Sequence, residues 1–383
     1  MPRKFVSILL LLAFFLHADY LEKGFLNPPN EAKPQAWWHW MNCNITKEGI
    51  KADLEAMAKI GVGGITILDI GEGIPEGNVP TASPEWFDMV QYTLEVAESL
   101  GLEVNLHNCP GWSSSGGPWV TKENAMKKVT YASTDIEGGK HVVAKIPMPP
   151  VTMDFYHEIA LLAFPKREAT ATLIPGFQGK ALYPGNIDLK RGPNPPPEAL
   201  VNPDAIINIS KYMDADGILK WDAPAGNWTI LRLGYTLIGR YNHPCTRFGR
   251  GLECDKMSKK GVKAAWDGQM GIVVKNAGKL SGKTLKGSLI DSYEVGPQNW
   301  TDTFAEDFKR LRGYAIDPYL PVLAGYYVKS QDVSERFLDD FRRTIADLFS
   351  ECYAEYFNKL CKEANLEFLS EPYGGPFDDL LQG

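Results

Sequence analysis

The chain has 383 residues, of which 44% are hydrophobic and 23% charged, a composition typical of folded globular proteins with one or two large domains. Its formal net charge of −7 and its scattered Lys and Arg residues provide no basic surface, so we expect no nucleic-acid partner. The six cysteines are sparse and lack zinc-ligand spacing, so they indicate neither a disulfide scaffold nor a zinc site.

The N-terminus has the pattern of a secretory signal peptide. Arg3 and Lys4 precede an apolar run, and polar residues resume at His17. The run of about twelve residues is too short to cross a bilayer, which takes about 20. We therefore expect a signal peptide over residues 1–18, no transmembrane segment, and export to the periplasm or the extracellular space.

Residues 30–125 alternate between strand and helix patterns. Strands are predicted at 36–41, 64–70 and 103–107, and helices are predicted to follow the capping residues Thr46 and Ser83. The run at 64–70 is continuously apolar, which indicates burial on both faces. Short connections between such units predict a parallel sheet.

From residue 126 the pattern changes to short β-like runs separated by Pro and Gly clusters, which predicts an inserted all-β module over residues 126–249. Helical patterns return from residue 250. They are followed by a predicted strand at 285–294, a long helix at 334–363 and a strand at 367–371. We therefore interpret residues 250–383 as the continuation of the first strand and helix region.

This α/β pattern fits either a doubly wound sheet or a (β/α)8 barrel. No strand is followed by a Gly-rich dinucleotide turn, and polar residues collect at the C-terminal strand ends, which favours the barrel. Only about five strands can be counted, and an unclosed barrel would expose a strand edge. We expect the first five strands of a barrel, interrupted by the β module after strand three, in the N-terminal part of a longer protein.

Glu294 is the sharpest catalytic candidate among the residues at these strand ends. It is predicted to end an apolar strand, where partial burial would raise its pKa and keep it protonated as a general acid. The alternative is that Asp291 or Glu294 only accepts hydrogen bonds from loop amides. The other strand-end candidates are His39, Trp40, Asn42, Asp69, His107, Asn108, Trp112, Glu371 and Tyr373.

A second carboxylate would indicate glycoside hydrolysis, with the pair about 5 Å apart for retention or about 6.5 to 9.5 Å apart for inversion. Glu371 could supply it, or it could instead bind a substrate hydroxyl or a metal. The loop NLHNCPGWSSSGGPW at 105–119 lacks both the G-x-S-x-G pattern of a nucleophile and the Lys of a phosphate loop. We interpret this loop as a pocket wall that contains Trp112, in a chain whose ten tryptophans suit sugar binding.

Five blocks of the sequence together resemble glycoside hydrolase family 106, the α-L-rhamnosidases. They are AWWHWMNCNITKEGIKADLEAMAKIGVGGITILDIG, NLHNCPGWSSSGGPW, GRGLECDKMS, IDSYEVGPQNW and SEPYGGPFD. The resemblance spans nearly all of the chain after residue 18. It implies a calcium-dependent barrel enzyme with β-rich accessory modules that releases terminal α-L-rhamnose from glycans with inversion.

The resemblance also implies roles for individual residues. Glu294 corresponds to the general acid, whereas the general base belongs to a later strand beyond residue 383, so the chain alone is expected to be incomplete and inactive. Trp40 and Trp112 would pack against the deoxysugar. The residues expected to hold ring hydroxyls, directly or through calcium, are His107, Asn108, Asp291 and Glu371.

Two alternatives stay open at this point. One is a non-catalytic carbohydrate-binding protein or inactive fragment. The other is a different barrel glycosidase that pairs Glu294 with Glu371.

Overall fold

The computed structural model of the chain describes residues 20–113, 115–167, 173–183 and 190–371. The expected signal peptide and the candidate Tyr373 lie outside these ranges. Across the described ranges, none of the helices combines the length and the apolar character that crossing a membrane requires.

A five-stranded parallel sheet forms the centre of the molecule. Its strands, in both chain order and spatial order, are β1 (Gln35–Met41), β2 (Gly64–Ile70), β3 (Glu103–His107), β4 (Leu285–Ile290) and β5 (Glu367–Ser370). Consecutive parallel strands of this kind require crossover connections, as the sequence predicts. Among the described residues the sheet is open, because β1 and β5 are its two edges.

Two helices connect the first three strands, and both begin as the sequence predicts. In α1 (Lys47–Lys59) the Thr46 side chain accepts a hydrogen bond from the Gly49 N–H. In α2 (Pro84–Leu100) the Ser83 side chain accepts one from the Trp86 N–H. Such caps satisfy amides that the first helical turn leaves without partners.

The strand register separates the sheet into two faces. Trp40 is paired with Asp69, and His39 with Leu68; paired residues of neighbouring strands share a face, and successive residues alternate between faces. Trp40 packs against Trp86 of α2, with 5.8 Å between the ring centroids. The Trp40 face is therefore the helix side, and we call the opposite face, which carries His39, the inner face.

The segment after β3 forms antiparallel sheets. The larger sheet has the order Lys127–Glu137, Asn227–Leu237, Tyr156–Pro165 and Ile207–Asn208. A second pair is formed by Lys140–Lys145 and Ile218–Ala223. Two short pairs complete this part: Gly116–Gly117 with Leu252–Glu253, which is antiparallel, and Leu200–Val201 with Tyr327–Val328, which is parallel.

The larger antiparallel sheet contributes to two hydrophobic cores because its side chains alternate between faces. Leu161 and Ile230 pack towards the smaller strand pair. Leu162 and Phe164 share a core with Phe341 and other side chains of the helices that follow β4. The other α-helices of the described residues are Phe177–Lys180, Lys259–Gly268, Met270–Ala277, Phe304–Arg312, Gln331–Phe349 and Glu355–Glu363.

The long helix predicted at 334–363 is interrupted by one π-helical turn. Gln331–Phe349 and Glu355–Glu363 are α-helical, and Ser350–Ala354 between them is a π-helix. A π-turn shifts the direction of the side chains that follow and often occurs near functional sites. Here it contains Tyr353, whose hydroxyl lies 2.5 Å from the Ser115 hydroxyl in the loop after β3.

Candidate active site

A cavity of about 490 Å³ lies beyond the C-terminal ends of β2 and β4. Parallel α/β sheets and barrels place their ligand sites at this edge. The charged and aromatic side chains among the described residues that line it are Glu72, Arg240, Tyr241, His243, Arg250 and Glu294.

Glu294 lines this cavity, but its setting differs from the prediction. Strand β4 ends at Ile290. The Asp291 amide donates to the His107 side chain at 3.4 Å and the Ser292 amide to the Asp291 carboxylate at 2.6 Å, so neither continues the ladder. Glu294 therefore lies in a loop and is exposed, which corrects the expectation of a partly buried carboxyl at a strand end. Its backbone N–H donates to the Ser113 carbonyl at 3.1 Å.

His107 and Asp291 lie together and are buried, with 1% and 7% exposure. The His107 Nδ1 is 2.6 Å from the Cys109 carbonyl, and its Nε2 accepts the Asp291 N–H at 3.4 Å. Burial lowers the pKa of His107, and the contacts fit a neutral ring protonated on Nδ1. This histidine therefore fixes the ends of β3 and β4 relative to each other.

Asn108 belongs to a second buried group of polar side chains. Its amide nitrogen donates to the Ser115 hydroxyl, which also contacts Tyr353. Its Oδ1 is buried and has no hydrogen-bond partner among the described residues. The loop after β3 is thus tied to the π-turn through Ser115.

Glu253 and Lys256 organise the loop after β3. Both belong to the sequence block GRGLECDKMS but were not among the predicted site residues. The Glu253 carboxylate accepts hydrogen bonds from the Ser113 hydroxyl and the Ser115 amide, both at 3.0 Å. It also pairs with Lys256 at 2.7 Å. Burial disfavours the charge of Lys256, but the adjacent carboxylate outweighs this effect and raises the Lys256 pKa. The signal for this ion pair in the sequence was the pair of opposite charges, Glu253 and Lys256, three residues apart.

The two tryptophans predicted to form the pocket wall occupy different environments. Trp40 is 2% exposed and packs on the helix side of the sheet, so the structure corrects its assignment as a sugar-facing ring. Trp112 is only partly buried and meets the exposed His39 ring edge-on at 6.5 Å. Trp112 thus remains available to a ligand on the inner face.

Glu371 follows β5, and its amide donates to the Ile290 carbonyl at 3.0 Å. This bond extends the pairing with β4 one residue past the end of β5. Of the seven residues predicted for the site, Glu294 alone is among the described residues that line the cavity. A role for Glu371 as a second carboxylate stays a prediction.

The segment 238–253, which returns from the antiparallel sheet, supplies much of the cavity and was missed by the sequence reasoning. Buried Asn242 holds it in shape by donating to the Pro110 and Gly249 carbonyls at 2.7 and 3.0 Å. Its side-chain oxygen accepts the Gly251 N–H at 2.8 Å. A concentration of Arg, Tyr, His and Asn in RYNHPCTRFGR was its only sequence signal.

The family model of glycoside hydrolase family 106, described as α-L-rhamnosidase, matches residues 26–182 and 168–379. The chain belongs to this family. The resemblance seen in the sequence motifs is therefore confirmed. Glu294 and the loop at 105–119 both lie within the matched residues.

Two proteins similar to this chain are both longer than it is. A protein of Formosa agariphila that carries the provisional name beta-glucuronidase is 44% identical over 366 residues, which are 95% of this chain and 31% of that protein. The solved structure of a rhamnosidase from Novosphingobium sp. PP1Y has a TM-score of 0.84 and 27% identity, covering 94% of this chain and 48% of that one. The chain thus spans 31% and 48% of their lengths, less than half of each.

Calcium was expected from the resemblance to family 106. Across the described part of the chain, no three His, Cys, Asp or Glu side chains come together as a group that could hold a metal ion. Calcium takes six to eight oxygen ligands, which include backbone carbonyls and waters as well as carboxylates, so calcium dependence stays a prediction. We assign no metal ligands.

Proposed function

We propose that this protein is a glycoside hydrolase that releases terminal α-L-rhamnose from glycans or glycosides with inversion. The observation that supports this most is the position of Glu294. In a chain of family 106, an exposed carboxyl group lines a cavity at the C-terminal edge of the parallel sheet. Such an edge is where barrel enzymes bring catalytic groups together.

In this proposal Glu294 donates a proton to the glycosidic oxygen while an oxocarbenium-like transition state develops at the rhamnose ring. Water attacks the anomeric carbon from the opposite face and so inverts its configuration. The base that activates this water is assigned, through the family resemblance, to a strand beyond residue 383. The residues described here would supply the proton-donor half of the site.

The buried residues near the cavity would position the site. His107, Asn108 and Asp291 are each less than 10% exposed, so we propose that they hold the strand ends and loops in place. Trp112, which is partly exposed, would pack against the apolar face of the deoxysugar. Glu371 is kept as a candidate for binding a substrate hydroxyl.

The role of Glu294 is tested by its dependence on the leaving group. In the complete gene product, Glu294→Gln should lower kcat for a rhamnosyl disaccharide by about 10²- to 10⁴-fold, the usual contribution of a general acid. A dinitrophenyl rhamnoside, whose leaving group needs no proton, should be hydrolysed nearly as fast as by wild type. Proton NMR of the first product should show β-rhamnose.

Glu72→Gln is the matched control, because Glu72 lines the same cavity. It should not show the selective loss of kcat on the disaccharide. An equal loss on both substrates in Glu294→Gln would contradict the proton-donor role. Absence of rhamnose release from every rhamnoside by the complete gene product would instead support the carbohydrate-binding alternative.

Hydrolysis of a β-glucuronide is the second candidate function. It is favoured by the provisional name of the Formosa agariphila relative and by Arg240 and Arg250 in the cavity, since arginine suits carboxylates. A panel of nitrophenyl glycosides separates the two functions. Release from the β-glucuronide but not from the rhamnoside would replace our proposal.

Export and calcium dependence belong to the same proposal. Export predicts that the mature protein begins near residue 19, which N-terminal sequencing of protein from the periplasm or medium would check. Calcium dependence predicts that EGTA lowers rhamnose release and that added Ca²⁺, but not Mg²⁺, restores it.

A further inference from the structure

We propose that Arg240 and Arg250 form a subsite for an anionic group of the glycan, a uronic acid carboxylate or a sulfate ester. This inference rests on the proposed function, because it names a substrate class for the same cavity. It identifies the preferred substrates as acidic rhamnose-containing glycans.

The two arginines reach the cavity from opposite arms of one folded segment. Tyr241 bridges to Leu252, and the Asn242 N–H donates to the Gly251 carbonyl at 3.1 Å. Arg240 and Arg250 flank these pairs, and both line the cavity beside Glu294. Two arginines and the candidate acid therefore line the same cavity.

Neither Arg240 nor Arg250 is paired with an acidic side chain in the part of the chain that the structure describes. Arg247, in the same segment, forms a bidentate pair with Glu76, with N–O distances of 2.9 and 2.7 Å. Arg240 and Arg250 form no ion pair with a carboxylate of the described residues. Their forked donors, which suit the oxygens of carboxylate and sulfate groups, are left for a ligand.

The segment holds these side chains on a fixed frame. The guanidinium of Arg250 lies over the Tyr241 ring, 4.6 Å from its centroid. The Arg240 carbonyl accepts the Glu253 N–H at 3.0 Å, and Asn242 locks the turn through three side-chain hydrogen bonds. A preformed site loses less conformational entropy when it binds its ligand.

The position of the anionic group on the substrate follows from the chemistry of rhamnose. Rhamnose is a neutral deoxysugar, so the released sugar itself carries no carboxylate. The negative group must lie on the neighbouring sugar or on an ester substituent. Arginine bonds to such a group would raise affinity and fix the glycosidic oxygen near Glu294.

The test compares substrates that differ in charge, using the complete gene product. A rhamnosyl-glucuronate disaccharide should have a kcat/KM at least 10-fold above that of rhamnosyl-glucose, mainly through KM. Arg240→Gln and Arg250→Gln should each reduce this preference by about 10-fold or more, the usual effect of losing a hydrogen bond to a charged group. Both variants should lose less activity on nitrophenyl rhamnoside, which carries no uronate or sulfate, than on the uronide.

Arg247→Gln is the matched control, since Arg247 belongs to the same segment but is paired with Glu76. It should keep the preference for the uronide. Equal kcat/KM on charged and neutral disaccharides in the wild type, or equal losses in all three variants, would overturn the proposal. A second series with a sulfated rhamnoside, in place of the uronide, distinguishes sulfate from carboxylate recognition.

A binding measurement separates failure of this subsite from failure of the proposed function. Calorimetric titration with D-glucuronate should show binding that Arg240→Gln and Arg250→Gln both weaken, whereas D-glucose should bind far less. Such binding without rhamnose release would support the subsite and reject the rhamnosidase. Rhamnose release together with equal binding of D-glucuronate and D-glucose would support the rhamnosidase and reject the anionic subsite.

Discussion

Glu253 and Lys256 form an ion pair beneath the loop after β3, with 2.7 Å between Oε2 and Nζ and both side chains fully buried. The same carboxylate accepts hydrogen bonds from Ser113 and Ser115. Lys256 also lies over the rings of Tyr293 and Tyr353. A buried charge pair in the core thus sets the shape of a loop that borders the candidate active site.

Glu253→Gln should strongly destabilise the protein. Removing one partner of a buried ion pair leaves the other charge without compensation, which typically costs about 3–5 kcal/mol. We expect a fall of this size in the free energy of unfolding, measured by urea denaturation. Glu55→Gln is the control, because the Lys51–Glu55 pair is exposed and such pairs contribute less than about 1 kcal/mol. Similar losses in the two variants would contradict the structural role of Glu253.

Ser113→Ala should lower stability but leave the chemistry intact. The Ser113 hydroxyl donates to Glu253 at 3.0 Å and accepts the His243 N–H at 2.8 Å. Its loss leaves the part-buried His243 N–H without this acceptor, at a typical cost of about 1–3 kcal/mol, whereas Glu253 keeps the Ser115 amide and Lys256 as partners. We expect a lower midpoint of urea unfolding with kcat unchanged at 20 °C. A collapse of kcat in the folded variant would contradict the interpretation of this loop as a pocket wall and make Ser113 a nucleophile candidate.

Asp69 should make stability fall as the pH rises. Burial raises its pKa from 3.8 to about 7, and its Oδ1 has no hydrogen-bond partner among the described residues. Between pH 4 and pH 7 the folded protein therefore retains a proton that the unfolded chain releases. The sign of this difference lowers the free energy of unfolding with increasing pH, by roughly 4 kcal/mol at most.

The measurement is urea denaturation at pH 5, 6, 7 and 8 for the wild type and Asp69→Asn. Relative to the wild type, Asp69→Asn should be more stable at pH 8 than at pH 5, because the Asn side-chain amide does not ionise. A stability difference between the two proteins that is the same at all four pH values would contradict the raised pKa.

Sequence pattern predicted the parts of the fold that depend on local periodicity and capping. The bounds of β2 and β3 and the caps Thr46 and Ser83 agree with the structure. These features depend on neighbouring residues, so a single sequence contains the information. The end of β4 was misplaced because, after Ile290, the Asp291 amide donates to the His107 side chain and the Asp291 carboxylate accepts the Ser292 N–H in place of ladder bonds.

The candidate site was less predictable because it is assembled from distant segments. Arg240 and Arg250 join Glu294 only after the antiparallel sheet returns the chain to the edge of the parallel sheet. Trp40 was misassigned because strand position alone does not say which face packs on the helices. The π-turn that brings Tyr353 to Ser115 has no sequence signal of its own.

Trp40→Phe should mainly lower stability and Trp112→Phe should mainly weaken substrate binding. Trp40 belongs to β1 and Trp112 follows β3, at the same edge of the sheet. Trp40 is buried against Trp86, so its shortening should lower the free energy of unfolding by about 1–3 kcal/mol through cavity formation and leave KM unchanged.

Trp112 is partly exposed beside His39, so its replacement should change stability little. Loss of ring contact with the deoxysugar should raise KM for a rhamnoside by up to about 10-fold, since such aromatic contacts contribute about 0.5–1.5 kcal/mol. Parallel urea unfolding and steady-state kinetics on the two variants check both effects. If Trp40→Phe raised KM while Trp112→Phe only lowered stability, the sugar would bind on the helix side of β1, and the division of the sheet into an inner face and a helix side would be wrong.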